Sequence, residues 1–160
     1  MKKIVVDPSG SELPTIKVVP RQGKARKWEM FDDEGTLEGI DADFRSKCRV
    51  RDGGGLLKLQ FQLAEEGWEW SDIARGVNRI PGIEFCSGSA GKPGRPVEEK
   101  YLSEFISYVD AKDPSILTVI LGPKYAGNKR YYDFCWVAKL HGSEHKSMDP
   151  PIVIDPPEPN

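Results

Sequence analysis

The chain is short of the residues that carry most acid–base and redox chemistry: two histidines and three cysteines stand among its 160 residues. Cys48, Cys86 and Cys135 are widely spaced and form no CxxC pair. An odd set without an export signal fits free thiols in a reducing cytoplasm, not a disulfide framework. With only His141 and His145 to serve as the commonest general base, an enzyme built on this chain would work mainly with carboxylates or lysines. Long apolar runs are missing as well. The leading MKKIVVDPSGSELP offers Ile4, Val5 and Val6 before Asp7 and Pro8 interrupt, far short of a signal-peptide core. No run approaches the ~18 residues of a spanning helix. Nor is there a surplus of one charge: 23 basic against 25 acidic residues, net −2, lack the basic excess of a domain that wraps nucleic acid. These absences exclude a membrane partner, set against nucleic acid, and point to a cytoplasmic protein.

What is present is a globular composition, 38% hydrophobic and 30% charged, long enough to bury one core without staples. A single domain over 1–160 is expected, with 156–160 as a frayed tail. Sixteen glycines and thirteen prolines punctuate the chain as they do many short strands joined by turns. The carboxy-terminal third, ILTVILGPKYAGNKRYYDFCWVAKL followed by DPPIVIDPP, reads as a long β-hairpin and one short terminal strand. From Tyr132, the residues Phe134, Trp136, Ala138 and Leu140 share one side of an extended chain, and Tyr131, Asp133, Cys135 and Lys139 the other. The partner, Ile116 to Leu121, is apolar at all positions but Thr118, the pattern of a strand covered on both faces. A small buried thiol is the reading of Cys135.

Five further runs have strand character. Thr15 to Val19 is β-branched; Lys27 to Phe31 alternates Trp28 with Met30; Lys47 to Arg51 places Cys48 and Val50 together. Leu57 to Leu63, LKLQFQL, has the cleanest period of two, with Lys58, Gln60 and Gln62 facing water. Ile83 to Cys86 follows the turn at Pro81–Gly82. Two segments read otherwise. In PVEEKYLSEFISYVD, from Pro96 to Val109, Leu102, Phe105, Ile106 and Val109 have helical spacing, with Pro96, Glu98 and Glu99 suited to a helix start. In residues 70–77, Trp70, Ile73, Ala74 and Val77 share that spacing behind Ser71, and helix and strand stay equally open.

Chemistry-bearing patterns each have a plainer structural explanation. HGSEH, His141 to His145, spells H-x-x-E-H, with Glu144 as the base of a zinc peptidase. That chemistry needs a helix, whereas this pentapeptide follows a strand, contains Gly142 and Ser143, and reads as a turn. Cys135 with His141 or His145 and Asp149 supplies the letters of a nucleophile, a base and an orienting carboxylate, but a thiol inside an aromatic strand reads as core. RQGKARK gathers Arg21, Lys24, Arg26 and Lys27 beside Trp28, which would stack on a base if the turn bound nucleic acid. DGGG from Asp52 and LGPKYAGNKR from Leu121 are not phosphate loops and read as hairpin turns; DDEG from Asp32 lacks the ligand alternation of a calcium loop. Trp28, Trp68, Trp70 and Trp136 with Tyr131 and Tyr132 would make either a core or an aromatic binding face. No catalytic, cofactor-binding or metal-ligating residue is assigned, and no cofactor is expected.

VVDP at Val5 to Pro8, GWEW at Gly67 to Trp70, RYYDFCWVAKL at Arg130 to Leu140 and the closing DPPIVIDPPEP from Asp149 resemble small bacterial β-sandwich proteins of unknown function, the DP-EP family and, more distantly, the AidA/PixA inclusion-body proteins. The resemblance covers mainly the carboxy-terminal third. It implies an immunoglobulin-like sandwich of about seven strands, no established activity, and a tendency to associate. The Pro96–Val109 helix departs from a plain sandwich, and no core Trp lies between Cys86 and Cys135 where an antibody-type domain has one. The expected fold is all-β: two packed sheets of seven or eight mostly antiparallel strands, with one short helix in a connection. The expected function is a non-catalytic binding or self-assembly module forming a homo-oligomer through open sheet edges. The rivals are a small enzyme with a loop cleft using carboxylates or lysines, and a nucleic-acid binder working through Arg21 to Lys27.

Overall fold

In LKLQFQL each second side chain needs a dry partner, and a computed structural model supplies one by facing two β-sheets across a shared interior. The structure describes residues 1–8, 13–23, 26–73, 78–85, 89–90, 92–93, 99–148 and 151–159. In chain order the strands are β1 (Lys2–Val5), β2 (Thr15–Val19), β3 (Glu29–Asp32), β4 (Gly35–Leu37), β5 (Ile40–Asp43), β6 (Leu57–Leu63), β7 (Trp68–Trp70), β8 (Arg79–Ile80) and β9 (Ile83–Phe85). They continue as β10 (Ser89–Ala90), β11 (Lys92–Pro93), β12 (Phe105–Val109), β13 (Ile116–Leu121), β14 (Arg130–Leu140), β15 (Ser143–Lys146) and β16 (Pro151–Asp155). The all-β expectation therefore holds, with more and shorter strands than foreseen. Among the described residues no helix is long and apolar enough to cross a membrane.

One large sheet has the order β12-β13-β6-β2-β3-β4; the other runs β1-β5-β16-β14-β9-β8, with β7 and β15 also paired to β14, and β10 pairs with β11 in a separate two-stranded sheet. Pairing is antiparallel except for β1 with β5, β16 with β5, and β2 with β6. The inward row of β14, namely Tyr132, Phe134, Trp136 and Ala138, is fully buried, as alternation requires. Its rings meet the opposite sheet directly: Phe61 on β6 lies 4.7 Å from Trp136, and Phe105 on β12 lies 4.7 Å from Tyr132. The Trp70 indole N–H reaches across from β7 to the carbonyls of Phe61 and Ser115, at 3.1 and 2.8 Å. All four tryptophans are buried, which decides the choice between core and binding face for Trp28, Trp68 and Trp70.

Several expectations are corrected. Ile116–Leu121 and Arg130–Leu140 do not form a hairpin: β13 pairs with β12 and β6, and residues 122–129 cross to the other sheet. Aromatic packing between β14 and β6 requires them to face each other across the core, not to lie side by side. Of the helix expected over 96–109, residues 96–98 lie outside the described residues, Glu99–Leu102 makes a single turn, α1, and Phe105–Val109 is a strand. Its side chains obey a period of two, and its β-branched and aromatic residues suit a sheet edge. Lys47 to Arg51 is not a strand: the buried Asp43 carboxylate accepts the Ser46 amide and hydroxyl, Cys48 N–H donates to Phe44 O, and Val50–Asp52 makes a 3₁₀ turn. The Cys48 thiol is buried there, which pushes its pKa up. Cys135 is half-buried on the outward side of β14. Of residues 70–77, Trp70 ends β7, while 74–77, like Cys86 and Asp149, lie outside the described residues.

The carboxyl end does not fray at 156–158: Pro156 and Pro157 are buried, the Glu158 amide donates to Cys48 O, and its carbonyl accepts from Val50. Pro157 also abuts Gly54, whose φ of +77° and contact with the Pro123 carbonyl admit no side chain. Gly54→Ala is expected to cost about 1–3 kcal/mol by combining a disfavoured backbone with a backbone collision. Gly142→Ala shares the positive φ but meets open space, so the smaller loss in urea midpoint at Gly142 checks this cause.

Candidate functional site

The sheet edge at β12 is the part of the molecule whose construction and exposure do not match. It begins at Glu104, whose side chain is fully buried and receives two contacts from the Arg130 guanidinium of β14, at 2.7 and 2.9 Å. The same carboxylate accepts the Lys124 amide at 2.6 Å and the Tyr125 amide at 3.4 Å, and Glu104 O accepts from Gly122. Arg130 donates further to Tyr132 Oη and Tyr125 O, and its plane lies over the Tyr101 ring at 4.5 Å. Thus one carboxylate ties the crossover 122–129 and the start of β12 to the opposite sheet. Burial pushes the Glu104 pKa up, outweighing the pull of Arg130 and the two amides. Burial likewise drives the Tyr132 phenol upward and keeps it protonated.

From this anchor β12 runs as Phe105-Ile106-Ser107-Tyr108-Val109. Phe105 and Ser107 face inward, where Ser107 Oγ donates to Pro81 O at 2.7 Å; Ile106 and Tyr108 therefore face outward. They are 58% and 49% exposed. Register places Ile106 beside Ile120 and Tyr108 beside Thr118 on β13, and these in turn beside Lys58 and Gln60 on β6. Leu117, Val119 and Leu121 are buried, but the outward Ile116 and Ile120 are only half covered. The second cover expected over β13 is therefore only partial: Thr118, between them on the same face, is buried. Ile106, Tyr108, Ile116 and Ile120 thus put apolar side chains on this face next to the edge, bordered by Thr118, Lys58 and Gln60.

The edge itself is unpaired among the described residues, because β12 is the last strand of its sheet. Glu104 O accepts Gly122 N, and Asp110 N donates to Ile116 O. In an antiparallel ladder this phase turns the amides and carbonyls of Ile106 and Tyr108 toward β13, and those of Phe105, Ser107 and Val109 outward. Between Phe105 and Val109 there is no charge, proline, glycine or bulge, the features by which exposed edges are usually protected.

The patterns singled out in the sequence take other roles. His141 and Gly142, with φ of +51° and +81°, form the tight turn of the β14–β15 hairpin. Glu144 on β15 pairs with Arg79 and accepts the Ser71 hydroxyl at 3.1 Å. His145 packs edge-on against Trp68, 5.2 Å between centroids, and registers with Ala138, on the opposite face of β14 from Cys135. The thiol and this imidazole are therefore not brought together, and Asp149 lies outside the described residues. Among the described residues no group of three or more His, Cys, Asp or Glu is arranged to hold a metal ion. In the basic turn, Trp28 is buried with its N–H on Arg21 O, so it cannot stack on a base; Arg26 bridges Ser147, and Lys24 lies outside the described residues. DDEG closes the β3–β4 turn, where Asp32 accepts the Glu34 amide and pairs with Lys2, whose ammonium lowers the Asp32 pKa. DGGG leads from the 3₁₀ turn toward β6, not between paired strands.

The edge was missed in the sequence because Leu102, Phe105, Ile106 and Val109 also satisfy a helical period. The signal that reveals it is a five-residue run rich in β-formers and free of charge. Compared with known proteins, the chain matches no family model and no curated sequence.

Glu104→Ala is expected to destabilise by about 3–5 kcal/mol, since Arg130 is left buried and unpaired. A pH effect follows as well. A raised folded pKa means that the folded state holds the Glu104 proton more tightly, so this contribution is full below the ordinary carboxyl range and is lost as pH rises through the raised value. Denaturant titrations across pH are expected to show that downward component in the wild-type chain and not in Glu104→Gln.

Proposed function

We propose that the chain is a non-catalytic cytoplasmic binding or self-assembly module on an immunoglobulin-like two-sheet sandwich, working through the outer face of its six-stranded sheet at β12 and β13. The observation that carries this reading is the pair Ile106 and Tyr108, held outward on a rigidly anchored, uncharged edge beside half-covered Ile116 and Ile120. Contiguous apolar surface of this kind marks interaction sites on otherwise polar proteins. Tyr108 belongs to a residue type enriched among those that dominate binding energy, and no long charged side chain of β12 must be desolvated. The buried cluster beneath it keeps the surface from collapsing inward, so little ordering cost is left for the moment of binding.

The rival nucleic-acid reading loses its stacking ring with Trp28 in the core, and the basic turn is left to act by charge alone. Sedimentation across a concentration series tests the preferred reading. The wild-type chain is expected to associate. Ile106→Lys and Tyr108→Lys are each expected to weaken association about tenfold or more, the equivalent of ~1.4 kcal/mol, while near-ultraviolet circular dichroism stays unchanged. Identical monomeric sedimentation of all three proteins would contradict self-assembly.

A further inference from the structure

Resting on that reading of the β12 surface, we propose that its partner is a second copy of this chain, joined by antiparallel pairing of β12 with β12 about a two-fold axis through Ser107. The outward amides and carbonyls belong to Phe105, Ser107 and Val109, a set symmetric about Ser107. Placing Ser107 opposite Ser107 of the second copy brings Phe105 opposite Val109 and Val109 opposite Phe105. All outward groups are then used, giving about six backbone hydrogen bonds between the copies. Sliding by two residues in one direction sets Val109 against Ser103, outside the strand; sliding in the other sets Phe105 against Ala111, beyond the strand's end. A slide of one residue turns the outward groups of one copy toward side-facing positions of the other and breaks the ladder.

Side chains support the same register. The non-hydrogen-bonded pairs that lie between the three bonded ones are Ile106 opposite Tyr108 and Tyr108 opposite Ile106. Side chains come closest at such pairs, and a β-branched residue against an aromatic ring is a favourable combination there. Phe105–Val109 carries no charge, and the acids that flank it are engaged within their own chain: Glu104 pairs with Arg130 in the interior, and Asp110 accepts the amides of Lys112 and Asp113. The six-stranded sheets of two copies would become one continuous sheet. Ile106, Tyr108 and Ile120 of each copy would then merge across the axis into one apolar band, each supplying cover that its own chain lacks.

Cysteine cross-linking tests the register in the full-length chain, with the wild-type protein oxidised in parallel as the control for its native thiols. Ile106→Cys/Tyr108→Cys is expected to give a disulfide-linked dimer under mild oxidation, while Ile106→Cys and Tyr108→Cys alone give none above the control. Both positions are exposed, so the fold tolerates the changes. A single variant that cross-links as well as the double one would overturn the register, since it places like positions opposite each other. Association that survives Tyr108→Lys, with no cross-linking in the double variant, would overturn strand pairing and leave the module assembling through another face. A wild-type chain that stays monomeric, with the double variant uncross-linked, would overturn both the partner and the self-assembly reading.

Discussion

The structure depends on one row of side chains, the inward Tyr132, Phe134 and Trp136 of β14, packed against Phe61 and Phe105 of the facing sheet. Each such ring buried is worth about 1.5–3 kcal/mol relative to exposure, and edge-to-face geometry adds a little more. The row also acts as a reference for direction. Because Phe105 must turn inward to meet Tyr132, its neighbours Ile106 and Tyr108 must turn outward, and the ladder phase of β12 is fixed with them. Exposure of two apolar residues is thus a consequence of the core, not an accident of the surface.

The Arg130–Glu104 pair plays a different part. Burial raises the Glu104 pKa despite the adjacent guanidinium, so desolvation of the carboxylate outweighs the attraction of Arg130. What it contributes is position. By taking the amides of Lys124 and Tyr125, Glu104 turns the chain out of β13 toward the opposite sheet, where a tight hairpin would have returned it along the same one. Arg130 starts β14 at that point. One buried carboxylate therefore sets both the crossover and the first residue of the edge strand.

How much of this is legible in the sequence depends on whether a segment satisfies one period or two. Leu57–Leu63 has strict alternation and a single reading, and Ile116–Leu121 is bounded by prolines; both appear with the limits the sequence implies. The inward row of β14 is equally plain. Phe105–Val109 is ambiguous because its apolar residues fit a helix as well as a strand, and only the free edge of β13 decides between them. The hairpin error has a similar origin: alternation tells which face a residue occupies but not which sheet its strand joins, and the partner of Glu104 is invisible without the fold. Of HGSEH, which reads as a turn between two strands, only His141 and Gly142 turn; Ser143, Glu144 and His145 already belong to β15, since Gly142 marks the turn but nothing local marks how short it is. The roles of Glu144 with Arg79 and of the terminal Asp155 and Glu158 against the 44–50 segment are set by long-range contacts that no local pattern records.

Residue-resolved amide hydrogen exchange at two protein concentrations tests the open, self-complementary edge most directly. At high dilution the account predicts protected amides at Ile106 and Tyr108, bonded to β13, and rapid exchange at Ser107 and Val109; at high concentration Ser107 and Val109 become protected while Ile106 and Tyr108 change little. Protection of Ser107 and Val109 already present at high dilution, or no dependence on concentration at either, would contradict it.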